Sequence, residues 1–223
     1  MVGKAYGAAC GSACGLARGL ARGLARGAAA HMPLHSGMTS HATPIGAALQ
    51  NHLGTDSAIA CFDRALIDRF EAGATVPARA IAGLTREQLL AVPIAGTWSI
   101  QQIIVHLWES DMAAVHRMRR TIAEAQPPLI IAYDESALAR ELMYEHEDVE
   151  RACRMFEDGR RLMARLLRKL PDEAFAKYCI HNTYGKITLA RFVLMYIEHL
   201  NGHVVHVVKK RAMVGARLAI ELT

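Results

Sequence analysis

The chain has 223 residues, 52% of them hydrophobic and 21% charged, which suits one folded domain of ordinary size with a tail and excludes a disordered protein. Aromatic residues make up only 6%, while Ala, Leu and Arg are plentiful, a balance that favours helices over a β-sandwich. The net charge of +5 does not mark a nucleic-acid binder: of the 26 basic residues, Lys4, Arg18, Arg22 and Arg26 all precede the first acidic residue, Asp56, leaving 22 against 21 acidic in the rest.

Residues 15–27 read GLARGLARGLARG. Leu16, Leu20 and Leu24 line one helical stripe, but Gly15, Gly19, Gly23 and Gly27 line another. Each glycine costs about 1 kcal/mol against alanine in a helix. A disordered, low-complexity extension over 1–55 is expected, with Met38 as an alternative start. The Arg-rich, acid-free composition shares features with transit peptides, and no secretory apolar segment follows Lys4. Cys10 and Cys14, and His31 and His35, have metal-like spacing, but Pro33 breaks any helix between the two histidines, and no metal site is expected there.

From Asp56 the pattern is regular, and a bundle over 56–214 followed by a short tail at 215–223 is expected. Ile59, Phe62, Leu66, Ile67 and Phe70 predict a first helix ending near Gly73. A short helical turn follows Thr85. Ser99, with Gln102 three residues on, predicts a capping box for a second long helix with an apolar face through Ile103, Leu107, Ala114 and Met118, stopped by Pro127-Pro128. A third helix starts near Asp148 and runs to Pro171, and Thr188 caps a fourth. Some twenty residues separate helices two and three, too many for a bare loop, and Asp134 is placed to cap a short helix within them. Four amphipathic helices with one long crossover predict an all-α four-helix bundle, and no strand signal competes. No run of 18 apolar residues exists, so no membrane-spanning helix is expected. Five cysteines, an odd number, do not suggest a disulfide framework and point to a reducing, cytoplasmic setting.

Eleven histidines narrow to three by distance. In YIEHLNGHVVH, His199 and His203 lie one turn apart on one helical face, where two imidazoles can converge on one ion. His206 extends the stripe but lies about 10 Å along the axis from His199. A third ligand must come from another helix, and His106 in IIVHLWESD sits at the edge of the buried face. His116 is about 15 Å further along that helix. His146 and His181 fall in loops and are weaker candidates. Spacing leaves a second reading open, in which these are hydrogen-bonded core histidines. Glu109, one turn after His106, is a candidate to orient an imidazole or act as a base, or else pairs at the surface with Arg117 or with a neighbouring helix. Glu198 points about 100° away from His199 on the helix and is a weak outer partner.

The segment GLTREQLLAVPIAGTWSIQQIIVHLWESD resembles the DinB-like family of bacterial helical bundles, which includes many metalloenzymes. The likeness covers residues 57–213 and rests on the GTWS turn with Trp98, the VHL of His106, the segment from HRMRR to PPL around Arg117 and Pro127, and EHLNGH. It implies an up-down-down-up topology. It also implies a metal triad of one histidine on the second helix and an H-x3-H pair on the fourth, positions that His106, His199 and His203 match. Gly202 and the extra His206 are small departures.

Three neutral imidazoles leave a divalent ion uncompensated, with an open position. Zinc is the first expectation, with nickel, iron and manganese admitted by the same donors. HLNGH is not HExxH, since Leu200 and Asn201 occupy the intervening positions, so peptidase chemistry is not expected. A coordinated thiol needs no separate base, and the family resemblance implies low-molecular-weight thiol S-transferases and a thiol-dependent isomerase among relatives. The reading is therefore a metal-dependent transferase taking a small thiol and an electrophilic substrate. Metal-dependent hydrolysis is the alternative, and a stress-related binding or scaffold role stands beside both. A second copy of the chain is the one macromolecular partner considered; neither nucleic acid nor membrane is expected.

Overall fold

A computed structural model describes residues 62–216. The expected extension over 1–55, the start of the first helix and all but two residues of the C-terminal tail lie outside them. The elements are α1 (Ala65–Ala72), a 3-10 turn (Gly73–Thr75), α2 (Val76–Ile81), α3 (Arg86–Leu90), α4 (Ile100–Ala123), β1 (Leu129–Ile130), α5 (Glu135–Glu141), α6 (Val149–Arg168), β2 (Tyr178–His181), β3 (Gly185–Thr188) and α7 (Leu189–Met213). Helices α1 with α2, α4, α6 and α7 form the four-helix bundle.

The expected caps are in place. Ser99 Oγ accepts from the Gln102 N–H while Gln102 Oε1 accepts from the Ser99 N–H, at 3.2 and 2.9 Å, which satisfies two donors that the first turn of α4 would otherwise leave unpaired. The side chains of Asp134, Asp148 and Thr188 cap α5, α6 and α7 by accepting from the N–H three residues on, without the reciprocal bond. Two boundaries differ from expectation. Gly73 does not stop the first helix: it holds a right-handed helical backbone, is buried, and passes the chain through a 3-10 turn into α2. Helix α4 ends at Ala123, short of the prolines.

A small three-stranded sheet, for which the sequence carries no competing strand signal, accompanies the helices. Tyr178–His181 and Gly185–Thr188 form an antiparallel hairpin, to which Leu129–Ile130 adds in parallel. Its alternation is legible in hindsight, since Cys179 and Ile187 point into the core while their neighbours face outward. Gly185, at φ +69°, closes the turn in a conformation that suits glycine. Four-residue strands are too short to register against the strong helical periods on either side.

Side-chain contacts set the helix directions. Gln101 at the start of α4 meets Tyr144, Glu145 and Glu147 just before α6, and Asp111 further along α4 meets Arg160 further along α6, so these two helices run parallel. Arg168 pairs with Asp68 while Arg160 reaches Phe70, so α1 runs antiparallel to α6. Thr97 meets Lys210 while His106 meets His199, which sets α7 antiparallel to α4. The order is up-down-down-up, and the parallel pair is why a crossover must span the bundle between α4 and α6.

That crossover is fastened at both ends. At its start, Ile180 N–H donates to Pro128 O and Asn182 N–H to Ile130 O, each at 3.0 Å. At its end, the buried Gln101 amide donates to the carbonyls of Tyr144, Glu145 and Glu147. Helix α5 lies between these anchors.

Candidate metal centre

His106 comes from α4 and His199 and His203 from α7, and one ligand atom from each lies within 4.8 Å of the others. Among the described residues this is the one group of three or more such side chains so placed. His106 Nε2 and His199 Nε2 stand 3.2 Å apart. The rings meet edge to face or tilted, with centroids 4.6–5.2 Å apart. Nitrogens bound at about 2.0–2.1 Å to a common ion are separated by about 3–4 Å, so this arrangement fits one ion.

Local structure explains the placement. Gly96, at φ +73°, turns the chain so that Trp98 packs against the His106 ring at 4.9 Å while Ser99 starts the helix. Lys210 reaches back from α7 to the Thr97 hydroxyl at 2.6 Å, tying this turn to the helix that carries the other two histidines. Tyr196, one turn before His199, stacks edge-on against it at 5.7 Å.

All three imidazoles are held in the neutral form. Burial, and then the nearness of His203, takes His106 down to about 3; burial, and then His206, takes His203 down to about 4. His199 lies well below its ordinary value for the same first reason, reinforced by His203, His106 and Arg160. A proton-coupled stability follows. The unfolded chain binds protons below the reference value of about 6.5, and the folded chain does not until far lower pH, so stability falls as pH falls through this window. The metal-free protein should lose up to about 1.4 kcal/mol per pH unit on account of His106, which is 1% exposed, between about pH 6.5 and its folded value. Urea unfolding of wild type and His106→Ala across pH 7 to 5 checks this. Parallel curves for the two would refute it, and the comparison cancels the opposing effect of the buried carboxyl groups.

The other candidate residues are placed differently. His116 and His206 are exposed, although the latter was expected to extend the apolar stripe. His146 is exposed on a 3-10 turn. His181 is buried at the end of β2, not in a loop, and its Nδ1 accepts from the Thr183 N–H at 3.1 Å. Glu198 faces Arg191 at 3.6 Å. Arg117 donates to Ile131 O and lies over the Tyr133 ring at 5.2 Å; it makes no ion pair with Glu109. Glu109 Oε2 is buried without a hydrogen-bond partner, and burial, followed by the nearby Glu147, raises its carboxyl.

The carboxylate at the triad comes from the crossover. Glu135, in the first turn of α5, places Oε2 3.9 Å from His106 Nε2. Burial raises its carboxyl, against the pull of Arg117. Tyr133 and Tyr196, both with phenols raised chiefly by burial, share Ser110 as a hydrogen-bonding neighbour. The cap at Asp134 was readable in the sequence, but nothing there indicated that the helix it starts would lie against His106.

The profile of the DinB superfamily matches residues 69–207. The chain belongs to the DinB superfamily. It is 27% identical over 144 residues to YfiT of Bacillus subtilis, whose name describes it provisionally as a metal-dependent hydrolase, covering 63% of this chain and 80% of that one. A protein of Oceanobacillus iheyensis with the same provisional description is 29% identical over 128 residues, covering 57% of this chain and 73% of the relative. The solved structure of YfiT, described as having an unusual four-helix bundle topology, aligns with a TM-score of 0.64 at 25% identity over 68% of this chain and 87% of that chain. Among the described residues of this DinB-superfamily chain, no helix is long and apolar enough to cross a membrane.

Proposed function

We propose that this protein is a metal-dependent hydrolase whose ion is held by His106, His199 and His203. The observation that carries the reading is the convergence of three nitrogens within 4.8 Å from two helices. Three imidazoles accept zinc first, and also nickel, iron(II) or manganese. A divalent ion held by these three residues would supply Lewis acidity and activate water.

The chain's own residues prepare that chemistry. Burial keeps the three imidazoles unprotonated at neutral pH, so their lone pairs are free to bind. Trp98 and Tyr196 pack against two of the rings and limit their rotation. Glu109, one turn after His106 on α4, is the base this reading offers: its buried Oε2 has no hydrogen-bond partner, and burial raises its carboxyl.

The provisional names of the relatives favour hydrolysis over thiol transfer as the reading, the reverse of the order drawn from the sequence. Transfer would use the same ion with an external thiol. Cys153 and Cys179 do not supply one: both are buried, and burial pushes the Cys153 thiol up to about 12 and raises that of Cys179.

The test is to load the protein in turn with zinc, nickel, iron(II) and manganese and offer activated carboxylic esters, phosphodiesters and amides, with His199→Ala as control. A parallel series pairs small thiols with an activated aryl halide. Hydrolysis of at least one class should run about a hundredfold or more faster than with His199→Ala. Metal-loaded protein that hydrolyses nothing faster than that variant overturns the reading, and conjugation in the thiol series would transfer it to the transferase.

A further inference from the structure

We propose that Glu135 is itself a ligand of the ion, so that the centre consists of three imidazoles and one carboxylate and is closed by the crossover helix α5. The inference rests on the reading of the three histidines as metal ligands. Glu135 Oε2 lies 3.9 Å from His106 Nε2, the nitrogen that also faces His199 Nε2 at 3.2 Å. Two ligand atoms at about 2.0–2.2 Å from one ion stand about 3–4 Å apart, so the carboxylate is already at ligand spacing from one of the nitrogens. It is not within 4.8 Å of all three, and a rotation of the side chain completes the approach. That rotation is open to it. The side chain is 50% exposed and makes no other ion pair among the described residues.

Charge and anchoring point the same way. Three imidazole donors bring no negative charge to a divalent ion, and a carboxylate is the group that offsets its +2. Placement is not left to a loose loop. Ala132 N–H donates to Asn182 Oδ1 at 2.9 Å, Arg117 holds Ile131 O, and Asp134 caps the helix through the Ala137 N–H. Beyond α5, Gln101 holds the carbonyls of Tyr144, Glu145 and Glu147. The backbone bearing Glu135 is thus fixed beside the triad from both sides, and only the side chain needs to move.

The experiment compares wild type, Glu135→Gln, Glu135→Ala and His199→Ala by zinc competition against a chromophoric chelator and by the visible spectrum of the cobalt(II)-loaded protein. Both Glu135 variants should bind zinc about tenfold or more weakly and change the intensity of the cobalt bands, because alanine removes the oxygen donor and glutamine replaces the charged carboxylate with a neutral, weaker one. Glutamine keeps the shape and removes the charge, and the position is half-exposed, so the metal-free melting temperature of Glu135→Gln should match wild type. Affinity within twofold of wild type together with a superimposable cobalt spectrum overturns the assignment of Glu135 while leaving the three-histidine reading intact, provided His199→Ala has lost the metal. Wild type that binds no ion, or His199→Ala that binds as tightly as wild type, overturns both.

Discussion

Alanine at His106, His199 or His203 removes more than about a hundredfold of the affinity for a divalent ion, a loss beyond the 10–100-fold that outer partners cost. Each of these residues supplies one of only three nitrogens in the group, and the two that remain cannot hold an ion against a chelator. His116→Ala and His206→Ala, both at exposed positions, leave the affinity unchanged. Chelator competition and metal content after gel filtration measure both outcomes. The imidazoles are already neutral in the folded chain, so wild-type affinity should decline little between pH 7 and 5 on their account. An exposed cluster would instead weaken steeply below about pH 6.5. Full retention of metal by His199→Ala would show that the triad is a packed cluster of core histidines.

Arg160→Ala should destabilise the protein by about 3–5 kcal/mol, the range seen when one partner of a buried ion pair is removed. Arg160 is 0% exposed and joins all four helices of the bundle. Its Nε donates to Asp111 Oδ1 on α4 at 3.0 Å, Nη1 to Phe70 O on α1 at 3.3 Å and Nη2 to Tyr196 O on α7 at 2.7 Å, while its guanidinium lies between the rings of Phe70 and Phe156. Truncation strands Asp111, 3% exposed and with Oδ2 already lacking a donor, and leaves a cavity where a large side chain stood. Burial already pushes the Asp111 carboxyl up against the opposing pull of Arg160, so in the variant it takes a proton and limits the loss. Pairing Arg160→Met with Asp111→Leu should recover most of the stability, because two apolar side chains carry no desolvation penalty. Urea melts of the single and double variants decide it. A loss under about 1 kcal/mol for Arg160→Ala would mean that the network contributes little. Tyr196 precedes His199 by one turn, so the single variant should also weaken metal binding.

Much of this architecture is written in short-range chemistry. Ser99 with Gln102, Asp134, Asp148 and Thr188 each announce a helix start, because a side-chain oxygen beside unpaired N–H groups works within a few residues. The apolar periods of α4, α6 and α7 follow from 3.6 residues per turn, and the same arithmetic picks out His199 with His203 and excludes pairing of His106 with His116. Where a local rule is weak, packing between elements decides instead. Gly73 looked like a stop, yet it is buried in a continuous helical run, where packing against neighbouring helices outweighs its low propensity. The hairpin at 178–188 is held by pairing between strands and by a third strand whose Leu129 pairs with Ile180, interactions with no sequence period of their own.

The chain's periodicity and capping residues thus specify the helices, the long crossover and the two histidines of α7, because those depend on spacing along one element. The meeting of His106 with that pair, the burial that holds all three neutral, the Arg160 crosspiece and the arrival of Glu135 from the crossover depend on how separate elements pack. Distances between helices, and the desolvation that shifts a pKa, are properties of the assembled core and have no counterpart in linear spacing.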